Sequence, residues 1–197
     1  NIGLCHQLNQ LLFGSISFFH SYNVLETKKN SIDIGLKLGT LIFVLSALLY
    51  IYDLKFFYNN TLSFICIPLI LGFGIYSIFN ARKLNNQVLS FKEAFTAYFL
   101  CIVIGYLIVS LGDILIFRFI DPEAGKLINE EAMIAYKIQS EMLIADGWLT
   151  KEDVSMQLEN MQNYPRYSYF SIFFQFMIIL LINAFVGLLI ALVFKKS

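Results

Sequence analysis

Four long runs of this 197-residue chain carry no charge, and they restrict it to very few kinds of fold. Ala94 to Gly112, Tyr167 to Phe194 and Phe56 to Ala81 hold no Asp, Glu, Lys or Arg. Leu38 to Tyr52 is equally bare, behind a short tail that carries Asp33 and Lys37. Peptide groups enter hydrocarbon only when they are bonded internally, and a helix of about 20 apolar residues achieves this across a bilayer core. Three of the runs reach that length outright, and the first does so with Lys37 snorkelling towards the headgroups. Charged residues make up 14% of the chain, against about 25% in soluble domains, which is too little polar surface for 197 residues in water. The fold class expected is all-α: an integral membrane four-helix bundle with the lipid bilayer as its first partner.

The spans are expected at about Ile32–Tyr52, Leu62–Phe79, Phe95–Phe117 and Tyr169–Phe194. Pro68 falls inside the second, where neighbouring helices can satisfy the carbonyl it frees. Between the third and fourth spans, residues 121–166, the composition turns polar and predicts a soluble amphipathic helical hairpin. Asp121-Pro122 opens its first helix, with proline where a missing N–H costs nothing. Ile134, Ile138 and Met142 form an apolar stripe, and Asp146-Gly147 ends the helix. Thr150 and Asp153 read as a capping box for the second helix, whose stripe is Val154, Leu158 and Met161 and whose end is Tyr164-Pro165. The two stripes are expected to face each other rather than lie on the membrane, because the turn is short and the polar faces are acidic.

Orientation follows from the basic residues beside the spans. The side bearing both termini holds Lys28, Lys29, Lys37, Arg82, Lys83, Lys92, Lys195 and Lys196, eight of fourteen. That side is expected to be cytoplasmic, leaving the hairpin outside with nine acidic and four basic residues. Tyr50, Tyr52, Tyr58, Tyr164, Tyr167 and Tyr169 are expected to form an aromatic belt at the outer interface. Residues 1–27 stand apart from a single four-span domain, 28–197. The first twenty-five residues hold neither a charge nor a methionine, and no secretory signal is evident. They read as upstream translation, with the initiator at Val24 or Leu25 through an alternative start codon; a fifth helix is the rival reading.

Small residues four apart, at Gly35 and Gly39, at Ala97, Cys101 and Gly105, and at Gly187 and Ala191, suit close helix approach. They serve either packing within the bundle or a homo-oligomer face. The ionisable or polar groups inside spans are Asp113, Arg118 and Asn183, and such groups are functional candidates by default. Asp113 and Arg118 lie towards the outer end, where interfacial anchoring is the competing role. Asn183, with Gln175 two turns earlier, suits an interhelical hydrogen bond. Asp33 and Lys37 are spaced for a helix-surface ion pair.

No catalytic residue, cofactor site or metal site emerges. Cys5, Cys66 and Cys101 have no paired spacing, and His6 and His20 have no acidic or thiol company. The acidic residues of the hairpin follow no calcium-loop spacing. Net charge is zero and there is no basic stripe with interleaved aromatics, which disfavours nucleic acid as a partner.

Ser90-Phe-Lys-Glu-Ala-Phe95, the Asp121-Pro122 exit, the Met- and acid-rich hairpin and Gly187-Leu-Leu-Ile-Ala-Leu-Val-Phe-Lys-Lys196 resemble the family called domain of unknown function 4199. The resemblance covers about Lys28 to the end. It implies a small four-span protein of the bacterial inner membrane, working beside an envelope-glycan glycosyltransferase, and it brings no catalytic residues. The function expected is a non-enzymatic accessory or scaffold subunit of a cell-envelope complex. The alternative is a small transporter or channel subunit, with Asp113, Arg118 and Asn183 lining one polar path.

Overall fold

The computed structural model describes residues 24–58 and 61–195, which are helical apart from short connections. The helices are α1 (Ile2–Tyr52, described from Val24 on), α2 (Lys55–Tyr58), α3 (Thr61–Leu84), α4 (Phe91–Ile114), α5 (Pro122–Ala145), α6 (Lys151–Asn163) and α7 (Tyr169–Phe194). A π-helical segment, Leu115–Ile120, carries α4 onward. Among the described residues four segments are long and apolar enough to cross a membrane: Val24–Tyr52, Thr61–Leu84, Phe91–Ile120 and Tyr169–Phe194. This is a multi-pass, all-helical membrane protein. The expectation of an upstream leader concerns residues before Val24 and lies outside the described residues.

Three of the spans outrun their expected bounds, and the third does so at both ends for local reasons. The third begins at Phe91 rather than Phe95, because Ser90 caps the Glu93 amide while the Glu93 carboxylate accepts from the Ser90 amide. It ends at Ile120 rather than Phe117 because the backbone changes to i→i+5 bonding, with the Asp121 amide donating to the Ile116 carbonyl over 2.8 Å.

α4 is the centre of the bundle, with α1, α3 and α7 packed around it. Between lipid-facing helices hydrophobicity gives little preference for association, so close backbone approach and hydrogen bonds hold them together. A Cβ on Gly35 would stand 2.6 Å from the Cys101 carbonyl, and one on Gly39 would stand 2.7 Å from the Gly105 carbonyl. The fully buried Tyr98 ring occupies the space left by Gly74 of α3 and Gly187 of α7. Its hydroxyl donates to Asn183 Oδ1 at 3.1 Å, and Ser77 Oγ donates to the Ala97 carbonyl at 2.8 Å. The small residues expected either for packing or for a dimer face are thus occupied within the bundle.

A second apolar cluster closes the end that carries α5 and α6. Phe117 is its hub: it stacks on Tyr167 at 4.0 Å between centroids and meets Phe57 and Tyr50 edge-on at 5.4 and 6.0 Å. Two of the tyrosines assigned to the aromatic belt therefore turn inward. Tyr167 is buried against Phe117, and Tyr50 is drawn to Asp121 by a 2.7 Å hydrogen bond. Tyr52, Tyr164 and Tyr169 are exposed, as a belt requires.

α5 and α6 start and stop where their sequence signals lie. Asp121 caps the Ala124 amide at 3.0 Å ahead of Pro122, Gly147 takes φ +76° in the turn, and Thr150 and Asp153 form the capping box. Their mutual orientation differs from the expectation that the stripes face each other. α6 turns Val154 inward, but α5 meets it with the face of Asn129 and Ser140. Ile134, Ile138 and Met142 point away, at 54%, 61% and 66% exposure. The cause is Asn129, whose amide donates to the Met161 carbonyl at 3.2 Å and whose carbonyl accepts from the Arg166 amide at 3.0 Å. At 100° per residue, anchoring α5 through Asn129 leaves Ile134, Ile138 and Met142 on roughly the opposite side.

Candidate functional site

A cavity of about 300 Å³ lies between α1, α3, α4 and α7, beneath the base of the α5–α6 hairpin. Its polar lining comes from Ser46, Ser63, Tyr106, Asp113, Arg166 and Gln175. Ile42, Ile67, Ile70, Val109 and Ile179 make it apolar elsewhere. Ser63, Ile67 and Gln175 are exposed on the outer faces of α3 and α7, so the cavity opens sideways between these two helices. The same two helices meet at the other end of the bundle, where Phe79 and Phe194 pack edge-on at 5.1 Å.

Asp113 is eight residues before Asp121, roughly 12 Å along the helix. A carboxylate deep in a span costs about 2.5–3.5 kcal/mol on insertion scales, which is why such groups face interiors or water-filled cavities. Asp113 does so: it is half-buried and lines the cavity. Among the described residues its carboxylate makes no ion pair and no hydrogen bond.

Arg166 brings the opposite charge to the same cavity from the connection between α6 and α7. Its backbone is held on both sides, the amide by Asn129 Oδ1 at 3.0 Å and the carbonyl by Gln175 Nε2 at 3.1 Å. Beside it, burial raises the Tyr167 hydroxyl well above the usual tyrosine range, so the phenol stays protonated. Above the cavity Asp121 is held low, first by the Ala124 amide and then by the Tyr50 hydroxyl, and it stays ionised.

The three residues singled out from the sequence do not share this space. Arg118 is exposed on the π-helical segment, its guanidinium 4.8 Å from the centre of the Tyr169 ring, a cation–π contact at the interface. Asn183 is deeper in the bundle, accepting from Tyr98 and donating to the Ile179 carbonyl at 2.9 Å. Only Asp113 reaches the cavity, and its counterpart there is Arg166, 53 residues further along. Reading by spans assigns Arg166 to the outer loop; the one available signal is Gln175, a polar residue nearly two turns into the last span. The arrangement presents two opposite charges above an apolar slot. No histidine is within it, and no group of three metal-ligating side chains converges among the described residues.

No curated protein and no solved structure matches the chain. A family model described as "Protein of unknown function (DUF4199)" matches residues 33–196, from within the first span to the end of the last. With so much of its length matched, the chain belongs to the DUF4199 family.

Proposed function

We propose that this protein is a non-enzymatic accessory subunit of a complex in the bacterial inner membrane, both termini cytoplasmic and the hairpin of α5 and α6 standing in the periplasm as a docking face. The observation that carries the reading is the stripe of Ile134, Ile138 and Met142, joined by Leu127 at 46% exposure and followed by Trp148 at 79%. α6 packs against the other side of α5, so this stripe adds nothing to the hairpin's own core. Glu130, Glu131 and Glu141 flank it. Apolar anchors inside an acidic rim suit a partner offering apolar side chains within a basic rim. A membrane-bound envelope glycosyltransferase fits that position in the cell.

The test is co-purification from native membranes after cross-linking. A variant with Ile138→Lys and Met142→Lys should insert and melt like the parent, since both positions are exposed, while losing the cross-linked envelope protein. Undiminished capture by that variant would rule out the stripe as the docking face. A carrier would need Asp113, Arg118 and Asn183 around one path, and their separate surroundings favour the scaffold reading over it.

A further inference from the structure

We propose that the lateral cavity between α3 and α7 is a binding site for a zwitterionic aminophospholipid, with Arg166 taking the phosphate and Asp113 the primary ammonium. Three observations lead there, and none depends on the docking role of the hairpin.

The first is charge. Asp113 and Arg166 line one cavity of about 300 Å³, and neither side chain makes an ion pair among the described residues. A purely anionic ligand would leave Asp113 facing it unfavourably, and a purely cationic one would do the same to Arg166. A molecule with both charges a few ångströms apart satisfies the two together.

The second is access. Ser63 and Ile67 on α3 and Gln175 on α7 are exposed where the cavity opens, so the entrance faces lipid. The cavity is at the small end of ligand sites, too small for a whole phospholipid and adequate for a headgroup with its glycerol. The acyl chains then stay in the bilayer, leaving through the gap between α3 and α7.

The third is placement. Arg166 stands three residues before α7, whose 26 residues span about 39 Å and so reach the headgroup regions of a bilayer, while Asp113 lies about 12 Å further in than Asp121. The phosphate therefore stays near its ordinary depth and the ethanolamine arm turns inward. An ionised Asp113 is an acceptor only and needs N–H donors: a primary ammonium offers three, a trimethylammonium none. Asn129 and Gln175 fix the Arg166 backbone, so the root of the side chain that lines the cavity is set before the ligand arrives.

Native mass spectrometry of the full chain in detergent tests this directly. Dioleoylphosphatidylethanolamine, the matching phosphatidylcholine and the matching phosphatidylglycerol are offered at equal concentration, with phosphoethanolamine alone in a separate arm. The unsubstituted protein should retain the ethanolamine lipid about tenfold over the choline lipid, the worth of one hydrogen bond to a charged group. Asp113→Asn should erase that preference, and Arg166→Gln should weaken retention of the ethanolamine and glycerol lipids alike. Equal retention of all three lipids by the unsubstituted protein would overturn the proposal without recourse to any variant, as a water-bridged Asp113 and Arg166 would produce. So would a preference that survives Asp113→Asn. Phosphoethanolamine binding as tightly as the lipid would overturn the lipid assignment in favour of a soluble headgroup compound.

Discussion

Gly39 has no side chain, and the bundle depends on that vacancy. A Cβ there would lie 2.7 Å from the Gly105 carbonyl and 2.8 Å from Ile108 Cβ, both on α4 and neither the free end of a flexible chain. Gly39→Leu should therefore part α1 from α4 and cost about 1–3 kcal/mol, the usual penalty of overpacking. Gly72 on α3 has nothing within 4 Å of its Cβ position, so Gly72→Ala should leave the melting temperature in detergent unchanged or slightly higher. Equal losses from the two substitutions would contradict the packing described. Asp113 is legible in the sequence because an ionisable residue inside a span stands out on its own. Arg166 is not, since loops carry arginines routinely and only the backbone bonds to Asn129 and Gln175 set this one over the cavity. Arg118 looked like its equal in sequence, yet the π-helical segment leaves it exposed beside Tyr169.

Helix ends were the most readable elements wherever the signal was chemical. Asp121-Pro122, Gly147 and the Thr150–Asp153 box each lie at an observed boundary, because a cap acts through neighbours three residues apart. The Ser90–Glu93 box carries the same signature, and attention to the apolar run alone places the third span's start four residues late. The direction in which α5 turns its stripe was not readable, because periodicity identifies a face and not the neighbour it meets. Thr150→Ala should destabilise the first turn of α6 by about 1 kcal/mol, the ordinary worth of a cap. Hydrogen exchange should then quicken at Lys151 to Asp153 while the amides of α5 keep their protection. Loss of protection across α5 as well would mean that the two helices open as one unit.

At the scale of the whole molecule, the four candidate spans place Val24 and Phe194 at one end of the bundle and the α5–α6 hairpin at the other. With Cys5, Cys66 and Cys101 replaced by serine, Asp146→Cys should react with a membrane-impermeant maleimide in intact spheroplasts. Asn85→Cys should react only after permeabilisation. The reverse pattern would invert the proposed orientation. The sequence by itself determined that this is a membrane protein, which four stretches of the described residues are apolar enough to cross, and where the helices outside the spans begin and end. Those properties are sums over neighbouring residues: the transfer free energy of an apolar run, or a cap satisfying an amide three positions on. Only the tertiary structure decided which faces are turned inward and that Asp113 shares a cavity with Arg166. That depends on the rotation of each helix about its axis, set by glycine contacts and by Asn129 between segments far apart in the chain.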